Sequence, residues 1–273
     1  MKKYEVMSKN FGYLFVLIAL TACEPPKQRK LIWSDEFSYS GKPDSTKWSY
    51  DLGDGCPNVC GWGNNESQFY TRDPENVRVK NDRLIIEARH DSLGGKAYTS
   101  ARIVSKFKGD WLYGRIEVKA KLPRGIGTWP AIWMLSTDWK YGGWPASGEI
   151  DIMEHVGYDP GVIHGNIHTQ SYNHLKRTQK EGKINIANSQ HGFHIYAIDW
   201  LEDRIDFYVD ELMYHSIPKG KADTFKEWPF DQRFHLIMNI AVGGGWGGAK
   251  GIDDSIWPQK MEVEYVRVYA PEN

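Results

Sequence analysis

Three acidic residues lie within the segment 148–155, which reads GEIDIMEH. In a β-strand alternate side chains share a face, so Glu149 and Asp151 point the same way and the isoleucine between them points the other way. Glu154 has the wrong parity for that face, but the one extra residue of a β-bulge near residues 152–153 restores it. Because bulges are over-represented beside active sites, we predict a bulged strand that gathers all three carboxylates on one face.

Carboxylates held this close cannot all ionise freely, so one has a raised pKa and serves as an acid while another stays charged. Cleavage of a glycosidic bond needs such a pair, an acid and a nucleophile. The alternative is an acidic strand face in water, which is common in antiparallel sheets. The approach to the strand contains a Gly-Gly pair, a proline and four tryptophans, Trp129, Trp133, Trp139 and Trp144. This crowding of rings favours a site over a solvated face.

The composition is that of a globular protein. The chain of 273 residues is 41% hydrophobic and 25% charged, which excludes a disordered or fibrous protein. Its 34 basic and 35 acidic residues give a formal net charge of −1, so the sequence has no electrostatic footprint for nucleic acid. Twelve tryptophans are more than a core of this size usually needs, and flat rings also suit stacking on a ligand. We assign Trp129, Trp133, Trp144 and Trp246 to a groove, and Trp33, Trp48, Trp200 and Trp257 to core or strand packing.

Short segments with a period of two must position the carboxylates. They read as strands at 84–89, 116–121, 193–201, 205–210, 234–242 and 261–269. No long amphipathic helical pattern accompanies them, so the sequence predicts an all-β fold, an antiparallel sandwich or barrel in one domain over 31–270. We also expect the segment 35–37 to pair with 263–269 and so bring the ends of the domain together.

Residues 1–22 read as an export signal. A lysine-rich start precedes the apolar stretch 13–20, which is too short to span a bilayer, where roughly 20 residues are needed. The sequence LTAC at 20–23 resembles the bacterial lipobox, so we predict lipidation of Cys23, a tether over 23–30 and a place at the bacterial outer membrane or cell surface. The alternatives are a plain signal peptide with an incidental cysteine and a buried core helix.

Cys56 and Cys60 bracket a Pro-Asn-Val turn. In a chain exported to an oxidising compartment this spacing favours a local disulfide. A zinc site is the alternative, but the pair supplies only two ligands and has no histidine or second cysteine pair nearby.

The carboxylate motif resembles the E-x-D-x-x-E signature of family 16 glycoside hydrolases. Further segments look like those of laminarinase-type endo-β-1,3-glucanases, in the expected order: 62–71, 113–117, 127–135, 164–169, 243–248 and 261–269. The resemblance covers about residues 31–270. It implies a concanavalin A-like β-jelly roll with a substrate groove on its concave face.

The resemblance also implies roles for the three carboxylates. Glu149 would be the nucleophile, Glu154 the general acid/base, and Asp151 would tune their protonation. The anomeric configuration would then be retained through a glycosyl-enzyme intermediate. The family needs no cofactor for catalysis.

Other residues are candidate substrate contacts. Trp129 and Trp133 share a strand face and could form a stacking floor, with core packing as the alternative. His168 is expected to bond substrate or to orient a carboxylate, because the H-x3-H spacing from His164 suits a metal only on a helix. The tryptophan in the glycine run 243–248 is expected at the groove edge, because neither a following helix nor a ribose-binding acid supports a dinucleotide site.

The remaining candidate residues are less specific to one role. Asn65 and Glu66 resemble sugar-hydroxyl contacts of the family, although the pair Asn64-Asn65 also suits a turn. Arg102 is expected to reach the groove or to be a paired strand charge. The family often holds a structural calcium through an acidic residue of the last strand, here Glu264 in place of the usual Asp, and Glu36 lies near it if the chain ends pair.

The sequence therefore predicts a monomeric enzyme that cleaves a β-1,3-glucan of the laminarin type. A mixed-linkage β-1,3-1,4-glucanase or a galactan hydrolase of the same family is the alternative within the enzyme class. A carbohydrate-binding sandwich without turnover is the alternative from another class. The intact acidic motif argues against it, because a binder needs no coupled acid and nucleophile.

Overall fold

The computed structural model describes residues 1–3 and 29–271, which contain two packed β-sheets. Sheet I carries the acidic motif. Its strands are β2 (Ser49–Asp51), β7 (Arg102–Val104), β8 (Asp110–Trp111), β10 (Thr128–Ser136), β11 (Glu149–Glu154), β12 (Val162–His168), β13 (Lys180–Asn185) and β17 (Phe234–Val242). The main path through the sheet runs β13-β12-β11-β10-β17-β7-β2, and all its pairs are antiparallel.

Sheet II covers the other side of the core. Its strands are β1 (Leu31–Asp35), β4 (Val77–Val79), β5 (Leu84–Ala88), β9 (Gly114–Lys121), β14 (His194–Trp200), β15 (Arg204–Val209), β16 (Leu212–Pro218) and β18 (Gln259–Tyr269). A small parallel pair, β3 (Gln68–Tyr70) with β6 (Tyr98–Ser100), stands apart from both sheets. A short 3-10 helix, Cys60–Gly63, completes the described elements.

Alternation of apolar side chains explains the sandwich. In β9 every second residue is buried, while all nine residues of β17 are buried, as expected for a strand near the middle of a covered sheet. The apolar faces of the two sheets form one core of aliphatic and aromatic residues. The predicted antiparallel all-β architecture is confirmed, and the six predicted strands are present with ends shifted by at most two residues.

The ends of the domain meet in sheet II. Strand β1 pairs with β18, with Asp35 opposite Val266, so the predicted pairing is confirmed for Asp35. Glu36 and Phe37 follow the end of β1 rather than extending it.

Cys56 and Cys60 form a disulfide, as predicted. The predicted signal over 1–22, the lipidation site Cys23 and most of the tether lie outside the described residues. Among the described residues no helix has the length and apolar character needed to cross a bilayer.

Candidate active site

Strand β11 has the predicted bulge. Against β12 the register pairs Asp151 with Asn166 and Glu154 with His164, so two residues of β11, at 152 and 153, oppose the single residue at 165 of β12. Against β10 the register also shifts, between Ile132 and Trp133. The extra residue turns Glu154 to the side of Glu149 and Asp151, while Ile150, Ile152 and Met153 are buried in the core.

The neighbouring strand β12 identifies which side of sheet I is the outer face. A Cβ atom at Gly165 would lie 2.3 Å from the Tyr214 hydroxyl of sheet II, so position 165 faces the core and only glycine fits. The residues of opposite parity, His164, Asn166 and His168, therefore share the outer face with the three carboxylates.

Two tryptophan indoles donate hydrogen bonds to Glu149 and Glu154, the first and last carboxylates of the motif. Trp144 donates its Nε1–H to Glu149 Oε2 at 2.8 Å, and Trp129 donates its Nε1–H to Glu154 Oε1 at 3.0 Å. Each donor favours the charged form of its carboxylate and fixes its direction. Two of the four tryptophans predicted for the groove thus contact the acidic residues directly.

His168 lies over the middle of the trio. Its Nε2 atom is 3.3 Å from Asp151 Oδ2 and 3.7 Å from Glu149 Oε1, and it is 3.0 Å from Asn166 Nδ2. The prediction that His168 orients a catalytic carboxylate agrees with this geometry. Asn166 is a member of the site that the sequence did not reveal, because its role depends on the register of β12 against β11.

Burial dominates the electrostatics of the trio. It raises the pKa of Glu149 well above its usual value, and the charges of Asp151 and Glu154 raise it further. Burial and the Glu154 charge also raise the pKa of Asp151. Burial raises the pKa of Glu154, whereas His168, the Trp129 hydrogen bond and His164 pull it down. The three groups therefore share protons instead of ionising together, which is the condition for one acid beside one nucleophile.

Trp129→Phe will move the alkaline limb of the kcat/KM profile to higher pH. The substitution removes a donor that lowers the pKa of Glu154, so that pKa rises and the acid stays protonated to higher pH. One hydrogen bond of about 1 kcal/mol corresponds to roughly 0.7 pH units. Trp133→Phe is the matched control, because its indole donates to Asn239 and not to a carboxylate. A limb that stays in place, or moves down, in Trp129→Phe would contradict this role.

A second cluster lies further across sheet I. The Arg102 guanidinium lies 4.5 Å from the ring centre of Trp62 and 4.8 Å from that of Trp133, and Arg102 Nε lies 2.9 Å from Asp51 Oδ2. Arg102 is thus both a paired strand charge and a stacking partner of a groove tryptophan. Trp62 and Asn239, which accepts the Trp133 indole N–H at 2.8 Å, are site residues that sequence reasoning missed.

Glu66 corrects the prediction of a sugar contact. It is 6% exposed, and its carboxylate accepts hydrogen bonds from Gln68 at 2.6 Å, Asn64 at 3.3 Å and Tyr70 at 3.4 Å. The Glu66 carboxylate is therefore engaged by hydrogen bonds within the protein, and burial raises its pKa. Asn65 is exposed at φ +57°, which supports its turn role.

The glycine run brings Trp246 to the outer face, as predicted. Its ring lies edge-on to Trp129 at 5.4 Å and to His164 at 4.8 Å between centres. A Cβ atom at Gly247 would lie 2.7 Å from Cβ of Trp129, so this close approach requires glycine.

The four tryptophans assigned to packing also agree with the prediction, since Trp48 and Trp200 are buried and Trp33 and Trp257 pack against the core.

The predicted calcium pair does not fit a metal site. Glu36 accepts two hydrogen bonds from Arg267, at 2.9 and 2.8 Å, and Glu264 is 2.8 Å from the Lys119 ammonium and 3.6 Å from Arg83. Each carboxylate is already paired with a protein cation, so neither is left as an unpaired ligand for calcium.

Among residues 1–3 and 29–271, a single trio of possible ligands has its donor atoms within 4.8 Å of one another: Glu149, Asp151 and His168. The trio is part of the acidic site itself, so a cation bound there would compete with the substrate for the same atoms.

The chain has clear relatives among known proteins. Residues 64–267 match the family model "Glycosyl hydrolases family 16". A "Beta-glucanase" of Rhodothermus marinus is 49% identical over 98% of this chain and 96% of its own length. The structure of a laminarinase from Rhodothermus marinus has a TM-score of 0.87 and 50% identity over 90% of this chain and 99% of that one. SCLam, a non-specific endo-beta-1,3(4)-glucanase, has a TM-score of 0.84 and 46% identity over 90% of this chain and 93% of its own. The bulged acidic strand, the sandwich around it and these matches show that the chain belongs to glycosyl hydrolase family 16.

Proposed function

We propose that the protein is a retaining endo-hydrolase of β-1,3-glucan of the laminarin type. The observation that carries the proposal is the bulged strand β11, which presents Glu149, Asp151 and Glu154 on one face with an indole donor on each outer carboxylate. The similarity to a laminarinase at 50% identity supports the choice of polymer. Catalysis in this family needs no cofactor.

The reaction proceeds in two displacements. Glu154 gives its proton to the glycosidic oxygen as the bond to the anomeric carbon breaks, and the bonding pair leaves with that oxygen. The Glu149 carboxylate attacks the same carbon and forms a glycosyl ester. Glu154, now ionised, takes a proton from water, which attacks the anomeric carbon and releases Glu149 as a carboxylate. The configuration is retained because two inversions follow one another.

Asp151 and His168 control the charge between the two glutamates. Asp151 is 2% exposed, and its charge raises the pKa of Glu149. His168, whose Nε2 is 3.3 Å from Asp151 Oδ2, acts in the opposite direction and lowers the pKa of Glu149. His168 also lowers the pKa of Glu154. Glu154 regains its proton from the attacking water within the second displacement, so each turnover ends with the acid ready for the next one.

The second candidate is hydrolysis of mixed-linkage β-1,3-1,4-glucan, which the similarity to SCLam favours. A sulfated galactan has less support as substrate, because the Arg102 guanidinium is enclosed by two indoles and paired with Asp51 and so is not offered to a sulfate group. A glycan-binding protein without turnover would not need the paired acid and nucleophile.

Incubation with laminarin, lichenan and agarose separates these candidates. We expect reducing ends to appear from laminarin with the highest kcat/KM, from lichenan more slowly, and none from agarose. Early products should be oligosaccharides of mixed length, because an endo-acting enzyme cuts within the chain. Tight binding of laminarin without release of reducing ends would identify a binding protein, and faster release from lichenan would favour the mixed-linkage activity.

We further propose that the protein is an exported, monomeric lipoprotein. The basic start, the short apolar stretch and the LTAC sequence at 20–23 support export and lipidation at Cys23. Strand β11 supplies all three carboxylates, so one copy of the chain is enough to form the acidic trio.

A further inference from the structure

Phe107 is a large apolar side chain that a tight turn holds out into water. It is 75% exposed and has φ +64°, a conformation that is costly for a residue other than glycine. The Ser105 hydroxyl donates to the Gly109 carbonyl at 2.6 Å, and the Asp110 carboxylate accepts the Phe107 N–H at 3.0 and 3.1 Å. These bonds fix the turn, so the exposure of the ring is built into the fold.

Two lysines flank the exposed ring. The Lys108 ammonium donates to the carbonyls of Ser45 and Trp48 at 2.7 and 2.8 Å, which fixes its charge beside the turn. The Lys106 ammonium lies 5.3 Å from the centre of the Phe107 ring. Two carboxylates lie nearby: Asp110 accepts the Phe107 N–H, and the exposed Asp44 interacts with the Lys108 charge, which leaves Lys106 as the lysine closest to the ring. An exposed aromatic ring between cations suits the interface of a bilayer that contains anionic lipid.

The turn lies against the first strand of the domain. A Cβ atom at Gly109 would be 3.2 Å from Trp33 Nε1 of β1, and the rings of Trp33 and Trp111 are 5.3 Å apart between centres. Leu112, the residue after Trp111, is 44% exposed. We call Lys106, Phe107, Lys108 and Leu112 the Phe107 face.

The N-terminal segment enters the domain beside this face. Arg29 donates two hydrogen bonds to Asp199, at 2.6 and 3.1 Å, and Asp199 also pairs with Arg115 at 3.3 Å. Arg115 is the second residue of strand β9 and follows Leu112 by only three positions. The six residue steps from Cys23 to Arg29 span at most roughly 20 Å when fully extended. A lipid on Cys23 would therefore keep this end of the sandwich within that distance of the membrane.

We propose that the Phe107 face contacts the surface of an anionic membrane, with the Phe107 ring among the headgroups and the two lysines beside lipid phosphates. The proposal rests on the lipid anchor proposed above. One ring and two cations bind a bilayer weakly on their own, but a short tether gives them an effective concentration on the order of millimolar. The contact fixes the orientation of the anchored domain relative to the membrane.

The experiment uses the full lipidated chain in vesicles of phosphatidylglycerol and phosphatidylcholine with a nitroxide on the headgroup. Phe107→Cys is labelled with an environment-sensitive fluorophore, which is selective because Cys56 and Cys60 form a disulfide and Cys23 carries the lipid. Leu175→Cys is the matched control, since Leu175 is an apolar side chain of 73% exposure on another loop. We expect a blue-shifted emission at position 107 and quenching at least about twofold stronger than at position 175.

Three results would overturn the proposal. Equal quenching at both positions, or none at position 107, would show that the Phe107 face does not meet the bilayer. Mass spectrometry that finds no lipid on Cys23 would remove the anchor and the proposal with it, while leaving the hydrolase activity unaffected. Weaker retention of Phe107→Ala on immobilised laminarin without vesicles would assign the ring to polysaccharide instead.

Discussion

Replacing Glu149 with alanine will lower kcat on laminarin by at least about 10⁴-fold, because the glycosyl-enzyme can no longer form. Glu149 receives the Trp144 indole N–H at 2.8 Å and lies across the strand pair from His168, a position that aims its carboxylate over the outer face of sheet I. Oligosaccharide binding should persist, since the tryptophans that we propose as the sugar-stacking surface remain. Initial rates and a binding isotherm for the same variant measure both quantities.

Small-anion rescue makes the test of Glu149 specific. Alanine leaves a space on the nucleophile side, and azide that enters it attacks the face of the sugar that Glu149 would attack. The rescued product should be an α-glycosyl azide, which proton NMR identifies by its anomeric coupling. Glu75→Ala, which removes an exposed carboxylate in the loop before β4, is the control and should keep full activity. A β-glycosyl azide, or activity near that of the unaltered protein, would refute the assignment of Glu149.

The acidic strand could be predicted because its information is local. Glu154 is an odd number of residues from Glu149 and Asp151, so it can share their face only if the strand has one extra residue. The register of β11 against β10 and β12 shows that extra residue. Trp144 is only five residues from the carboxylate it bonds, so its proximity also follows from the sequence. The sandwich could be predicted for the same reason, because the alternation of apolar and polar residues within each segment indicates which of its faces is buried.

The second cluster could not be predicted in the same way. Arg102 meets Trp133 because β17 lies between β7 and β10, an order of strands that no local pattern encodes. Glu66 was assigned to sugar because its motif indicates where the segment lies but not which way its side chain turns. In the fold that carboxylate points inward to Gln68 and Tyr70, as the acceptor of a buried polar network.

The pairing of the two predicted calcium ligands could not be derived from the sequence for a related reason. An acidic residue in the last strand is a plausible ligand only while its neighbours leave it unpaired, and pairing depends on adjacent strands. Glu264 meets Lys119 because β9 lies beside β18, and Glu36 meets Arg267 because β1 pairs with β18 on its other side. The sequence contains all four residues but does not state which of them become neighbours.

Glu154→Gln will lower kcat/KM on laminarin by about 10²- to 10⁴-fold, the usual contribution of a positioned proton donor. Glutamine keeps the oxygen that accepts the Trp129 N–H at 3.0 Å and changes the shape of the site little. The kcat/KM of the unaltered protein should fall at high pH as Glu154 loses its proton, since that form cannot protonate the leaving oxygen. The variant has no such group, so its alkaline limb should be absent.

An aryl β-glucoside oligomer with a strongly acidic phenol separates a lost proton donor from a damaged site. Such a leaving group departs without protonation, so Glu154→Gln should form the glycosyl-enzyme at nearly the normal rate. Hydrolysis of the glycosyl-enzyme should remain slow, because the variant has no base to activate the water. A burst of phenol release should therefore precede a slow steady state. Loss of the burst together with the polymer activity would mean that the substitution disturbs Glu149 as well. A variant whose alkaline limb persists would transfer the acid role to another residue, and Asp151 is the carboxylate placed to take it.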